Sequence, residues 1–208
     1  MIENSNKVDK IISYVLHPIL FPLIATLFYL LISPFYLETR QEYILISIVF
    51  VATYIIPILL LYLMRKLKLI SSYQIEDINE RRFPLFLSFL ITLFVGRLIY
   101  QSGMTYFLSI FFFGSSITFF IAYMMVLMKI KLSLHTAGIS SLLGFFIGIS
   151  YIFSKNLLIL IAVFSILTGL SASNRLKLEA HTQKEVYLGI LVGFLTQIAV
   201  AAYYFYFL

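Results

Sequence analysis

The chain has 208 residues, 62% of them hydrophobic and only 12% charged, with a net charge of +6 and no cysteine. That balance excludes a soluble globular domain, and the missing cysteines exclude disulfides and thiolate metal sites. The basic residues flank apolar runs instead of forming a stripe, so the charge points to membrane topology and not to nucleic acid.

A hydrocarbon core about 30 Å thick takes roughly 20 apolar residues per helical span. Apolar runs predict spans at 11–33, 42–64, 84–100, 106–128, 136–153, 156–172 and 186–207. The third, fifth and sixth are short, so six or seven spans are expected. Alternation with a period of two is absent, which argues against a β-barrel. The fold expected is an all-α polytopic membrane helical bundle forming a single integral membrane domain over residues 1–208. The first ten residues are polar and the following run is longer than a signal core, so no cleaved signal is expected. Pro18, Pro22 and Pro57 fall inside spans and are expected to kink them. The stretch from Arg65 to Arg82 is too charged to cross and suits a short interfacial helix. Polar residues 171–189 form the last break, between the sixth and seventh spans.

Lysine and arginine placement sets orientation. Twelve lie on the side that holds Lys7, Arg65, Arg82, Lys129 and Arg175, and two, Arg40 and Lys155, lie on the other. Arg97 falls within a span and is read as snorkelling toward its outer end. The motif loops are therefore expected to face the cytoplasm, in a setting read as a bacterial inner membrane.

Arg82, His135 and the segment 175–185 are separated by pairs of spans, so all three return to one membrane face. Titratable residues clustered beside a bilayer are costly and are generally kept for function. The pattern Arg175-x5-His181-x3-Glu185, followed by Val186 and Gly189, resembles the last signature of the phosphatidic acid phosphatase type 2 superfamily, S-R-x5-H-x3-D. The middle signature, P-S-G-H, is echoed by Leu132-Ser133-Leu134-His135, and the first, K-x6-R-P, by Arg82-Phe83-Pro84. The resemblance covers residues 76–190. Departures are Ile75 in place of Lys, Leu134 of Gly, Asn174 of Ser and Glu185 of Asp.

The resemblance implies a phosphatase acting on a membrane lipid phosphate, either phosphatidate or an isoprenoid phosphate or diphosphate. His181 would be the nucleophile, Glu185 its orienting carboxylate and His135 the general acid. Arg82 and Arg175 would clamp the phosphoryl oxygens, with Ser133 adding a hydroxyl donor. A guanidinium offers forked donors that match phosphate geometry. No metal or other cofactor is implied, and the partners are a lipid phosphate substrate and membrane lipids.

Each residue also has a simpler reading. Thr182-x-x-Glu185 is a capping box, in which Glu185 reaches back to the Thr182 backbone. Arg82 with Pro84 suits the positive flank and first turn of a span. His17, before Pro18, is read as structural. A non-catalytic lipid-phosphate-binding or assembly protein of the same fold is the alternative function. Glu76-Asp77-x-x-Glu80 suggests a magnesium-dependent prenyltransferase, although such enzymes use two acidic motifs and one is present. A transporter is disfavoured by the near absence of acidic residues from the spans.

Overall fold

The computed structural model describes residues 7–73, 75, 77–103 and 105–207. Among these residues all regular structure is helical, and no strand occurs. The helices are α1 (Lys7–Val15), α2 (Phe21–Ile32), α3 (Thr39–Phe50), α4 (Ile56–Lys66), α5 (Arg82–Ser102), α6 (Ser109–Leu127), α7 (Leu134–Ile152), α8 (Leu158–Lys177) and α9 (Gln183–Phe207). Grouped into continuous stretches, they give seven segments long and apolar enough to cross a membrane, from Lys7–Ile32 to Gln183–Phe207. The protein is an all-α polytopic membrane protein.

Four of the five prolines lie in the first turn of a helical element. Pro18 opens a 3-10 turn, Pro18–Leu20, behind His17, and Pro22, Pro57 and Pro84 each lie in the first turn of their helix. A first-turn residue has no intrahelical acceptor for its N–H, so proline costs little there. The first span therefore breaks into α1 and α2. The second passes through a π turn, Val51–Ile55, just before Pro57. No helix forms between Lys66 and Arg82 among the described residues, contrary to the interfacial helix expected there. The chain is folded back instead: the Arg65 guanidinium donates to the carbonyls of Ile70 and Ser71, and the Glu80 carboxylate accepts from the Ser71 N–H at 3.0 Å.

Packing divides the chain into two compact units, residues 1–21 with 132–208, and residues 22–131. In the first, α7 and α9 run parallel along a seam of small residues. A Cβ added to Gly189 would strike the Thr136 hydroxyl and lie 2.5 Å from the Ser133 carbonyl oxygen. One on Gly193 would run into the Ala137 carbonyl, and one on Gly148 would lie 2.5 Å from the Ala201 Cβ. Close backbone approach at small residues is how helices associate where lipid offers no hydrophobic drive. Hydroxyls add cross-links: Ser141 Oγ donates to the Gly193 carbonyl at 3.2 Å. The antiparallel α8 packs on α7 through Phe146 and Phe164, whose ring centroids are 4.9 Å apart. In the second unit, α5 and α6 form a hairpin packed by aromatic side chains, with Phe86 against Tyr123 and Phe89 against Phe120.

Helix α8 runs five residues past its expected end, to Lys177. Its last turn, although polar in sequence, is buried at Asn174 and Arg175. Cationic side chains in a last turn also complement the helix dipole. A Schellman motif then stops it: the Ala180 N–H bonds the Arg175 carbonyl at 3.1 Å and the Glu179 N–H bonds Leu176, with Glu179 left-handed at φ 52°. The polar break is thus only five residues long, from 178 to 182.

Candidate functional site

The site grows from the joint between the first turns of α7 and α9. Ser133 is the N-cap of α7, with an extended backbone, and its hydroxyl accepts from the Thr136 N–H at 3.5 Å. Its own N–H donates to the Glu185 carbonyl at 3.0 Å, and the Thr136 hydroxyl reaches the Val186 carbonyl at 3.2 Å. These bonds hold His135 on α7 and Glu185 on α9 at the same end of the seam. Ser133 is fully buried in this role.

His181 lies in the short connection ahead of α9, and its Nδ1 is 2.6 Å from Glu185 Oε2. A carboxylate only accepts, so Nδ1 carries the shared proton and Nε2 is left as the basic, nucleophilic nitrogen. One half of the capping box forms, the Glu185 N–H donating to the Thr182 hydroxyl at 3.4 Å, while the Glu185 carboxylate is directed to His181. The side chain of His181 is 9% exposed and that of Glu185 22%.

Arg175 comes from the last turn of α8, where only 8% of it is exposed. Its guanidinium donates to the hydroxyl of Ser13 on α1. Asn174 donates to the same hydroxyl at 3.0 Å and to the Asp9 carbonyl at 3.2 Å, and Lys177 pairs with the buried Asp9 carboxylate at 3.0 Å. Helix α1 is thus latched to the end of α8 by polar contacts.

His135 is the centre of the group. Its ring is hydrogen-bonded to the Ser13 backbone carbonyl, and Arg175, His17 and His181 all lie near enough to act on it electrostatically. The ring of His17 meets that of His135 edge to face, with centroids 5.2 Å apart and planes at 83°. His17, His181 and Arg175 therefore gather around His135, with Glu185 behind His181. Comparison with family models, with curated proteins and with solved structures finds no match. The site is therefore read from its own geometry.

Of the six residues expected in the site, His135, His181, Glu185, Arg175 and Ser133 come together in this unit. Arg82 belongs to the other unit. There its guanidinium donates to Asn79 Oδ1 at 3.0 Å, Lys129 Nζ donates to the same oxygen at 2.6 Å, and Arg82 Nε is buried without a partner. Two cations on one neutral amide oxygen leave charge uncompensated, which suits an anion. Of the acidic triplet, Glu76 lies outside the described residues. Asp77 accepts from the Asn79 N–H at 2.8 Å and Glu80 holds Ser71, so both brace the loop. Among the described residues no group of three or more His, Asp or Glu side chains is placed to hold a metal ion.

Sequence reasoning read His17 as structural and passed over Asp9 and Ser13. Asp9, Ser13 and His17 recur every fourth residue, which puts them on one helical stripe of an otherwise apolar span. That spacing was the available signal.

Proposed function

We propose that this protein is a membrane lipid-phosphate phosphatase that works through a phosphohistidine on His181. The observation that carries the reading is the 2.6 Å contact of His181 Nδ1 with Glu185, made where Arg175 and His135 also converge. A nucleophilic nitrogen oriented by a carboxylate, a guanidinium for phosphoryl oxygens and a second imidazole for the leaving group are what metal-free phosphoryl transfer requires.

In the first step the Nε2 lone pair of His181 forms a bond to phosphorus as the bond from phosphorus to the lipid oxygen breaks. His135, which enters this step as the imidazolium, gives the proton of the nitrogen not bonded to Ser13 to that oxygen and becomes neutral, and the lipid alcohol departs. In the second step water attacks the phosphohistidine, His135 takes its proton, and inorganic phosphate leaves with His181 regenerated. Glu185 keeps Nδ1–H in place and balances the charge that develops on the ring. Arg175, held by the Ser13 hydroxyl in this conformation, would exchange that partner for the stronger, charge-assisted bond to a phosphoryl oxygen. Arg82 takes no part in these steps, since it belongs to the other unit. Apolar spans suit a lipid tail entering laterally, and the Lys and Arg excess supports a cytoplasmic-facing site, in a setting read as a bacterial inner membrane.

The test is phosphate release by the purified, reconstituted protein from a panel of phosphatidate and isoprenoid phosphates and diphosphates. Release by the parent and its loss in His181→Ala, with a phosphoenzyme trapped only in the parent, is the expected result. Equal release by His181→Ala overturns the mechanism. Lipid phosphate bound without any turnover favours the non-catalytic alternative, for which Ile75 in place of the signature lysine and Leu134 in place of the glycine are the motivating residues.

A further inference from the structure

The reading above uses two of the three histidines. The third, His17, lies where α1 gives way to the Pro18–Leu20 turn. Its Nδ1 accepts from the Ile19 N–H at 3.3 Å, so the ring proton sits on Nε2 and the imidazole is fixed in one tautomer. The turn behind it is itself held, because Pro18 and Phe21 pack on Gly138 of α7 so closely that a Cβ there would lie 2.6 Å from a Phe21 ring carbon. Four residues earlier, Ser13 offers its carbonyl to the His135 ring and its hydroxyl to Arg175.

We infer that His17 is a positioning residue of the site: its ring, locked by the turn, backs the imidazole of His135 and holds it in one orientation. The inference rests on the phosphatase reading for its effect on rate, but the contact itself is independent of that reading.

Two ring neighbours constrain an imidazole better than one. A hydrogen bond to the Ser13 carbonyl keeps a proton on one nitrogen of His135 but leaves the plane able to swing about that bond. A second ring packed edge to face removes the swing, since such pairs prefer this mutual angle. The other nitrogen, which carries the second proton of the imidazolium, is then aimed at one place, where a leaving oxygen must receive that proton. General acids lose rate steeply with misplacement, which gives the contact a kinetic consequence. The residue makes no contact with the reacting atoms in this account, so its role is to orient.

Two substitutions separate this role from mere capping of the turn. His17→Asn keeps an oxygen that can accept from the Ile19 N–H and removes the ring. His17→Phe keeps a ring and removes the acceptor. Both are purified as full chains and assayed on the lipid-phosphate substrate, with imidazole resonances followed by NMR. With three histidines in the chain, each signal is assignable by its loss in a single variant. The expected result is that His17→Asn lowers kcat about ten-fold with little change in KM, while His17→Phe stays near the parent. The His135 ring signal should move in His17→Asn, and that of His181 should not. Full activity in His17→Asn, or a loss confined to His17→Phe, overturns the positioning role. An unmoved His135 signal in His17→Asn overturns the contact. If the parent hydrolyses no lipid phosphate, the phosphatase reading and the positioning role fall together, and the NMR arm still decides whether the rings meet.

Discussion

The α7–α9 pair and the α5–α6 pair are both made of long apolar helices, and they are held in different ways. Between α5 and α6 the space is filled by rings. Gly96 faces Phe112 and Phe113, and an added Cβ would lie 3.1 Å from the nearest atoms. Between α7 and α9 there is almost no space to fill, because glycine, alanine and serine let backbone meet backbone. The consequence is register. Rings tolerate small slides along a helix, whereas a carbonyl pressed against a glycine does not. The second arrangement ties the helix ends directly to each other by hydrogen bonds, Ser133 to Glu185 and Thr136 to Val186, and the titratable residues lie at those ends.

The strongest way to break the comparison is to put a side chain into the tight seam. Gly193→Leu should prevent the first unit from folding, seen as loss of a monodisperse species in detergent, because overpacking alone costs about 1–3 kcal/mol before any carbonyl is displaced. Gly96→Ala should cost roughly 1 kcal/mol or less, since neighbouring rings need give only a few tenths of an ångström. Gly169→Ala, with nothing within 4 Å, should be neutral or stabilising. Equal damage from Gly193→Ala and Gly169→Ala would remove the distinction between seam and open surface.

The next effect is on chemistry at the end of the seam. His181→Ala should lower phosphate release by about a thousand-fold or more, and Glu185→Gln by about a hundred-fold, with binding retained in both. Gln keeps the helix start while losing the charge, so a Glu185→Gln protein with parental kcat would reduce Glu185 to a capping residue. Phosphoenzyme trapping distinguishes the two variants, since His181→Ala should form none and Glu185→Gln some.

Smaller effects lie at the latch between α1 and α8. Asp9→Asn should destabilise by about 1 kcal/mol, because Lys177 is 59% exposed and solvent screens much of the pair. Thermal unfolding checks the value, and high salt should narrow the difference between variant and parent. The smallest effect concerns the end of α8. Glu179→Gly should stabilise by up to about 1 kcal/mol, as glycine accepts φ 52° without the strain of a Cβ, less its own entropy cost. Lys129, at φ 63°, offers the same test at the end of α6, although it also donates to Asn79.

How much was legible varied residue by residue. Proline positions were visible, but whether each would break its span, as Pro18 does, or follow a π turn within it, as Pro57 does, depended on where the neighbouring turns closed. Ser173, Asn174 and Arg175 read as a loop because they are polar, yet they are helical, since α1 supplies partners for Asn174 and Arg175. The pairing of Glu185 was ambiguous in sequence: the same four residues spell a capping box and a histidine-carboxylate pair. Four residues is about one turn, so both partners were in reach, and the short connection after Glu179 brings the ring back over the start of α9. The Gly189-x3-Gly193 spacing was readable as a helix-packing signal and was not used.

The sequence by itself determined that the chain spans a membrane, six or seven times, and on which runs, because the length and apolarity of a span are set by the bilayer and not by other parts of the protein. It also placed His135, Arg175, His181 and Glu185 at span ends that an even number of crossings returns to one face. What only the tertiary structure decided was which of those ends meet, and that α1 joins them with Ser13 and His17. That decision belongs to close packing between helices distant in the chain, where a glycine seam and a few buried hydrogen bonds select one register among many that hydrophobicity alone would allow.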